Sequence, residues 1–237
     1  MTRRRFIADE YQGDRAALVG DHAAHLSKVL RAKVGQEVDI VADGLTRRGE
    51  ITSVAAERVD FQLHETVQSD STGQRQVTLL LSVFKFDRFE WALEKAVELG
   101  ATTIVPVFAR RTELHLAKAA EKRVERWRRI ARESAQQSRR SAQPEIASPS
   151  DLKAAIGNVQ GTRVLLSEHE SPQRLSLKKV LEGESSGPLT LAIGPEGGWT
   201  PEELKLFQQN GWQFASLGPT VLRVETATIA ALAIALD

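Results

Sequence analysis

The sequence predicts an α/β protein in which a small β-barrel is followed by a mostly parallel sheet, covered by helices on both faces. Short strand-like segments joined by glycine turns fill residues 1–66, a polar stretch follows at 67–76, and strands alternate with helices from Val77 onward. The chain has 237 residues, of which 41% are hydrophobic and 27% charged, enough to bury a core in one large or two modest domains. We therefore expect a barrel at 1–70 and a second domain at 75–237, joined by a flexible linker.

The elements of the barrel follow from local patterns. Ala23, Leu26 and Leu30 recur at helical spacing and predict a helix over 22–30, with Asp21 as its cap. Asp43-Gly44 predicts a tight turn between two strands. The predicted strands cover residues 38–41, 49–54 and 59–66.

The second domain carries stronger helix signals. Asp87 with Glu90, and Thr200 with Glu203, have the spacing of capping pairs, and Pro201 suits the first position of a helix. The predicted strands cover residues 77–84, 103–108, 163–166, 189–193 and 214–217. The predicted helices cover residues 87–99, 116–138 and 224–236, with one more beginning at 201.

Composition excludes several classes of protein. Cysteine is absent, which rules out disulfides, thiolate metal sites and a cysteine nucleophile. The longest apolar stretch, 226–236, is about half a membrane span, and acidic residues follow the N-terminal arginines too soon for a signal peptide. His22 and His25 are one helical turn apart but have no third ligand nearby. We expect a cytoplasmic protein with no bound metal and no membrane partner.

The charge of the chain is uneven. The net charge is +1, yet residues 71–150 contain 15 Lys and Arg against 9 Asp and Glu, and both flanking regions are acidic. This pattern fits a face that binds a polyanion, and it equally fits the solvated surface of a basic helix over 116–138. On charge alone the second interpretation is the more common one.

A glycine-rich segment, Leu191 to Trp199, ends a predicted strand and leads into the capped helix. Its glycines at 194, 197 and 198 allow a ligand to approach the backbone, and ligands of open α/β sheets bind beyond the carboxyl ends of the strands. The segment has neither the Walker A pattern nor G-x-G-x-x-G, so no nucleotide fingerprint applies. A plain Gly/Pro turn remains an equal alternative.

A second segment, Ser216 to Ala227, also runs from a strand through a Gly-Pro loop into a helix, and the two loops could form one pocket. Arg223 lies near the start of this helix, where a positive charge opposes the helix dipole. It either serves a ligand or simply pairs with a carboxylate.

Together, IGPEGGW at 193–199 and LGPTVLRVETA at 217–227 resemble the bacterial 16S ribosomal RNA uracil-N3 methyltransferases. That family modifies uridine 1498 and belongs to the SPOUT class of S-adenosylmethionine (SAM) enzymes. The resemblance extends in order over nearly the whole chain, through Arg4-Arg5-Phe6, residues 25–31, residues 95–100, Arg111-Thr112, Gln137-Ser138 with Arg140, and Pro144-Glu145-Ile146.

The resemblance implies a fold and a set of partners. The barrel would be a PUA-like RNA-binding domain, and the second domain a Rossmann-like SPOUT domain with a trefoil knot. The protein would be a homodimer that binds SAM and acts on 16S rRNA in the small ribosomal subunit. Carried over by position, the cofactor-binding residues would be Leu166, Ser167, Gly194, Pro195, Glu196, Gly197, Gly198, Leu217, Gly218, Val221, Leu222, Arg223 and Thr226.

Three positions depart from the family pattern. Thr220 stands where the family often has Arg, Arg139 where it usually has Gly, and Trp199 where Phe is common. None of these changes removes a motif, but Thr220 puts in doubt any role for an arginine at that position.

The implied chemistry selects catalytic candidates. Uracil N3 must lose a proton, and a fixed cation beside the developing anion would stabilise it. Arg223 is our candidate, oriented by Glu225, with Glu196 as a second carboxylate; equally, Arg223 and Glu225 could brace the loop. The arginines expected to contact RNA are Arg4, Arg5, Arg31, Arg111, Arg139 and Arg140.

Overall fold

The computed structural model describes residues 4–67, 75–140, 142–157, 159–168, 175–183 and 187–237. The chain forms two compact units, one of Met1–Thr72 with Ala135–Gln143 and one of Gly73–Ser134 with Pro144–Asp237. The segment Ala135–Gln143 thus groups with the first unit, although the sequence prediction placed it in the second domain. Most of the predicted linker lies outside the described residues.

The first unit contains a six-stranded sheet with the order β1-β4-β5-β6-β3-β2. Its pairs are antiparallel except β1 with β4. Leu18, Ile40, Ile51 and Phe61 are fully buried beneath it. The strands are β1 (Arg5–Ile7), β2 (Glu10–Gln12), β3 (Arg15–Val19), β4 (Glu37–Ala42), β5 (Leu45–Val54) and β6 (Arg58–Thr66).

The local predictions for this unit are partly right. The turn at Asp43-Gly44 is present, with φ of 50° and 70°. The helix is present but short, since α1 (Gly20–Ala24) continues as a π-helical turn over His25–Val29. The predicted cap is wrong, because Val19 is the N-cap residue and Asp21 lies inside the first turn.

The second unit contains an eight-stranded sheet with the order β10-β8-β7-β13-β11-β14-β12, and β9 beside β8. Every strand pair in it is parallel, as predicted. The strands are β7 (Val77–Ser82), β8 (Thr103–Phe108), β9 (Glu145–Ile146), β10 (Ser150–Asp151), β11 (Thr162–Leu166), β12 (Leu175–Ser176), β13 (Leu189–Ile193) and β14 (Gln213–Ser216).

The predicted helices over 87–99 and 224–236 and the one predicted to begin at 201 are observed within one residue of those limits, whereas the helices over 152–157 and 177–181 were not predicted. The predicted long helix over 116–138 is divided into α3 and α4 by a 3-10 turn at Glu121–Arg123. No described helix is long and apolar enough to span a bilayer. The helices are α2 (Phe86–Leu99), α3 (Leu114–Ala120), α4 (Val124–Gln137), α5 (Leu152–Gly157), α6 (Leu177–Leu181), α7 (Pro201–Gln209) and α8 (Val224–Ala235).

The predicted capping pair of α2 does not form. Lys85 is the N-cap residue and Asp87 lies in the first turn. Instead, both carboxylate oxygens of Glu90 lie 2.9 Å from Arg126 Nε, whose single N–H they share, and Glu90 accepts a further hydrogen bond from Arg123. A tertiary ion pair with two arginines has therefore displaced a local hydrogen bond.

The cap of α7 forms as predicted and fixes the end of the glycine-rich segment. Thr200 Oγ1 accepts a hydrogen bond from the Glu203 amide at 3.3 Å, and Glu203 Oε2 accepts one from the Thr200 amide at 2.8 Å. Pro201 occupies the first helical position, and Glu203 Oε1 also accepts a bond from the Arg110 amide at 2.7 Å.

Removing this cap should destabilise the protein. We expect Thr200→Ala to lower the free energy of unfolding by about 1 kcal/mol, because the Glu203 amide loses its acceptor. Thr200→Ser, which keeps the hydroxyl, should stay close to the parent protein. Denaturant unfolding of the full chain measures both, and equal midpoints for the two variants would contradict the assignment.

Candidate active site

A cavity of about 720 Å³ opens at the carboxyl ends of three adjacent parallel strands, β11, β13 and β14. Its wall comes from the segments that follow those strands, 166–168, 193–201 and 215–225. Because parallel strands end at one edge of the sheet, segments far apart in sequence meet there. The two glycine-containing loops thus share one pocket, as predicted.

Packing around Trp199 explains why the first loop carries glycine. Trp199 Nε1 donates a buried hydrogen bond to the Leu166 carbonyl at 3.1 Å, so its ring spans the loops after β11 and β13. A Cβ on Gly194 would lie 3.0 Å from that ring. Gly198 has φ of 69°, and its amide closes a turn on the Pro195 carbonyl at 2.8 Å.

The predicted cofactor residues are brought together, with one exception. Thr226, in the first turn of α8, is exposed and is not part of the cavity wall, although its neighbours Glu225 and Ala227 are. The remaining predicted positions all line the cavity, namely Leu166, Ser167, Gly194, Pro195, Glu196, Gly197, Gly198, Leu217, Gly218, Val221, Leu222 and Arg223. Their role in holding a cofactor remains a prediction.

Two arginines that line the cavity, Arg88 and Arg111, contact the loop that follows β13. Arg88 Nη1 lies 3.3 Å from Glu196 Oε1, and the Arg111 guanidinium donates to the Gly197 carbonyl. A Cβ on Gly197 would lie 3.1 Å from Arg111 Cδ, so the arginine stem packs directly on the glycine. Arg111, expected to contact RNA, is therefore placed at the pocket. Arg88 was missed, because nothing near it in sequence indicates a contact with residue 196.

Arg223 and Glu225 both line the cavity but do not pair. No hydrogen bond or ion pair between these two described residues is present, although we expected Glu225 to orient Arg223. Arg223 is the N-cap residue of α8 with extended backbone, whereas Glu225 lies two residues on, inside the helix. Side chains two positions apart at a helix start point in different directions, which explains the separation.

One side-chain oxygen of Glu225 has an unusual environment for a carboxylate. Its Oε2 is buried and has no hydrogen-bond partner among the described residues. Leaving a buried acceptor unpaired costs about 1–3 kcal/mol, more if it is charged, so such an atom is rarely kept without a reason. The cavity therefore contains a cation, Arg223, and an acceptor, Glu225 Oε2, that pair with no other residue in the described part of the chain.

The remaining RNA candidates lie in the first unit. Arg4, Arg31 and Arg139 are exposed, and the partly buried Arg5 donates a hydrogen bond to the Arg139 carbonyl. Burial lowers the pKa of the Arg140 guanidinium from its usual value, although an arginine stays charged at neutral pH.

Arg31 and Arg139 have a left-handed backbone, with φ of 52° and 59°. This conformation is unfavourable for arginine and suits glycine. At 139, where the family usually has Gly, the chain thus accepts strain in order to carry a charge.

Part of the predicted basic face is neutralised within the protein. Arg126 pairs with Glu90, and Arg128 pairs with Glu125 at 2.7 Å. Trp127 is fully buried against Phe89, so it belongs to the core rather than to a surface for stacking bases. The helix over 124–137 is therefore a weaker RNA candidate than its charge suggested.

Histidine does not form a metal cluster in the part of the chain that the structure describes. His22 Nδ1 lies 3.0 Å from Asp9 Oδ1, a structural pair between the start of the sheet and α1. His169 lies outside the described residues.

The model of the RNA methyltransferase domain family matches residues 71–236. The chain belongs to the RNA methyltransferase family. A curated relative, the ribosomal RNA small subunit methyltransferase E of Synechocystis sp., is 33% identical over 214 residues, which cover 88% of this chain and 68% of the relative. The family resemblance seen in the sequence is thereby confirmed.

Solved structures of similar proteins confirm the fold class. The ribosomal RNA small subunit methyltransferase E of Neisseria gonorrhoeae, bound to S-adenosyl methionine, matches with a TM-score of 0.84 and 27% identity, covering 98% of this chain and 96% of that one. A putative methyltransferase of Legionella pneumophila, in complex with the cofactor SAM, also matches with a TM-score of 0.84, at 26% identity over 99% and 97% of the two chains. The RNA methyltransferase described here thus has the expected α/β fold over its full length.

Two tryptophans offer a matched test of the bond between the loops. Trp199 and Trp212 are both buried and both pack edge-on against Phe207, but Trp212 Nε1 has no hydrogen-bond partner among the described residues. We expect Trp199→Phe to lower the free energy of unfolding by about 1–2 kcal/mol more than Trp212→Phe, because it strands the Leu166 carbonyl. Chemical denaturation compares them, and equal losses would show that the bond contributes nothing.

Proposed function

We propose that this protein transfers a methyl group from SAM to N3 of uridine 1498 in the 16S rRNA of the small ribosomal subunit. The observation that carries the proposal is the glycine-lined cavity, formed by the family's two characteristic loops at the ends of β11, β13 and β14. Two solved structures similar to this chain, those from Neisseria gonorrhoeae and Legionella pneumophila, are methyltransferases with SAM bound.

The cavity fits a cofactor of this kind. Its volume of about 720 Å³ lies in the range of small-molecule sites, and its wall combines apolar side chains with glycine backbone. Residues Gly194 to Gly198 and Leu217 to Leu222 would hold the cofactor, with Leu166 and Ser167 on a third side, and Arg223 would face the substrate. SAM supplies a methyl group made electrophilic by the sulfonium centre.

The protein's own contribution is to position uracil and to stabilise its anion. Ionising N3 about two pH units below its pKa costs about 3 kcal/mol, which one fixed cation in a sheltered site can supply. Arg223 lines the cavity and has no ion-pair partner among the described residues, so its charge is available to the substrate. Glu196 is held by Arg88 and serves as a second carboxylate beside the loop.

RNA binding is assigned to the arginines of the first unit, Arg4, Arg5, Arg31, Arg139 and Arg140. Phosphate neutralisation by exposed arginines supplies most of the affinity of such surfaces. We further propose that residues 1–70, together with the segment Ala135–Gln143 that groups with them, act as the PUA-like RNA-binding part, and the rest of 75–237 as the SPOUT catalytic part. The enzyme would act as a homodimer in the cytoplasm, where ribosomal subunits are located.

A direct experiment separates this function from that of an RNA-binding protein without activity. Purified protein is incubated with methyl-labelled SAM and unmethylated small ribosomal subunits, and nucleoside mass spectrometry measures 3-methyluridine. Naked 16S rRNA in a parallel reaction shows whether the assembled subunit is required. SAM binding without label in uridine would refute the proposed reaction.

Arg223→Ala tests the stabilisation of the anion. We expect turnover to fall with little change in SAM affinity, because the charge acts mainly in the transition state. Raising the pH should partly restore turnover, since ionisation of N3 in solution replaces the missing stabilisation. Normal turnover at saturating substrate, or a defect that lies wholly in SAM binding by calorimetry, would contradict this role.

Arg139→Gly separates RNA binding from stability. Glycine relieves the left-handed backbone, so we expect the free energy of unfolding to rise by about 1 kcal/mol. At the same time the logarithmic salt dependence of binding to small subunits should fall by about 0.7–0.9 for the lost phosphate contact. Arg15→Ala, an exposed arginine on β3, is the control and should leave that slope unchanged. An unchanged slope in Arg139→Gly would assign Arg139 to solvated surface.

A further inference from the structure

Three carboxylates line the cavity, and two of them are engaged. Glu196 is paired with Arg88 at 3.3 Å, and Glu168 is exposed and has an interaction partner of its own. Glu225 differs from both, because its Oε2 is buried and unpaired. Of the carboxylates in the described part of the wall, Glu225 is the one with unused capacity to accept a proton or a hydrogen bond.

The charged groups around α8 do not neutralise Glu225. α8 packs against α2, α6 and β13. On α2, Glu90 is occupied by Arg123 and Arg126, and Lys95 joins Glu94 to Glu98 at 2.8 Å. On α6, Lys178 and Lys179 are exposed, and β13 carries no ionisable residue.

The three arginines that line the cavity, Arg88, Arg111 and Arg223, also make no ion pair with Glu225 in the described part of the chain. Arg88 holds Glu196, and Arg111 donates to the Gly197 carbonyl. Arg223 lines the cavity but makes no contact with Glu225 in the hydrogen-bond or ion-pair range. Glu225 therefore lines the cavity as a partly buried carboxylate whose Oε2 has no donor among the described residues.

We propose that Glu225 is the general base that takes the proton from uracil N3, an inference that rests on the proposed function. The N3–H bond breaks and the proton passes to the Glu225 carboxylate. The N3 electron pair forms the new bond to the methyl carbon, while the S–CH3 bond breaks and leaves its electron pair on sulfur. Glu225 then returns the proton to water, and S-adenosylhomocysteine and 3-methyluridine are the products.

This assignment divides the chemistry between two residues at one helix start. Arg223 stabilises the negative charge that develops on the uracil oxygens, and Glu225 removes the proton that would otherwise prevent it. Their different directions, which exclude a mutual ion pair, allow both to reach different atoms of one base. A catalytic base of this kind contributes about 10²–10⁴-fold to the rate.

The pH dependence of single-turnover methyl transfer to small ribosomal subunits tests the proposal. The wild-type rate should depend only weakly on pH near and above neutrality, because the enzyme itself removes the N3 proton. The rate of Glu225→Gln should be about 10²–10⁴-fold lower near neutrality and should rise about tenfold per pH unit, because only ionised N3 then reacts. Glu225→Asp should keep the wild-type profile with a reduced rate, and SAM affinity of Glu225→Gln by calorimetry should be unchanged.

A substrate with a more acidic N3 gives a second readout. In subunits reconstituted with 16S RNA containing 5-fluorouridine, Glu225→Gln should recover activity to a greater extent than the wild type gains. Glu196→Gln is the matched variant, a carboxylate already held by Arg88, and should keep the wild-type pH profile whatever its rate.

Each alternative outcome is decisive. Loss of SAM affinity in Glu225→Gln would identify the cofactor as the missing partner of Oε2 and overturn the proposal, as would a wild-type pH profile in that variant. If the wild-type protein itself transfers no methyl group to uridine, the proposed function fails and this inference fails with it. Methyl transfer by the wild type with an unaltered Glu225→Gln profile overturns the inference alone.

Discussion

The parallel pairing of β11, β13 and β14 is the constraint on which the site depends. These strands are separated by 19 or more residues of chain, yet their carboxyl ends meet at one edge of the sheet. The hydrogen bond from Trp199 Nε1 to the Leu166 carbonyl connects two of the loops that leave this edge, those after β11 and β13. The capped start of α7 fixes the other end of the loop after β13. The pocket is therefore preorganised by backbone pairing between strands and by two local interactions, the Trp199 hydrogen bond and the cap of α7, rather than by long side chains.

Sequence reasoning worked where the determining interaction is local or periodic. The strands of the second sheet have buried, apolar runs bounded by turn residues, and β8 and β13 have the predicted limits. Thr200 and Glu203 formed their capping box because both partners lie within one turn and meet no competitor for Thr200. The same pattern failed at Glu90, where arginines from another part of the chain offer a stronger partner. A sequence contains no sign of that competition.

The candidate site shows the same division. The glycine loops were located from composition and order, since close backbone approach demands glycine at fixed spacing. The contacts between side chains were not predicted from the sequence. The contacts of Arg88 and Arg111 with the first loop, and the separation of Arg223 from Glu225, become visible only in the three-dimensional structure. The family resemblance identified most residues of the cavity wall correctly, but it did not predict the contacts between them.

The segment Ala135–Gln143 has a consequence for how such a protein can be divided. It groups with the first unit although the chain on both sides of it belongs to the second. The polypeptide therefore crosses between units three times, and a single cut near residue 73 would not yield two complete modules. A chimera that exchanges the first unit with that of a relative must carry two segments across. Recombination between the genes of two such proteins would also have to exchange both segments at once, so the two units are expected to be inherited together.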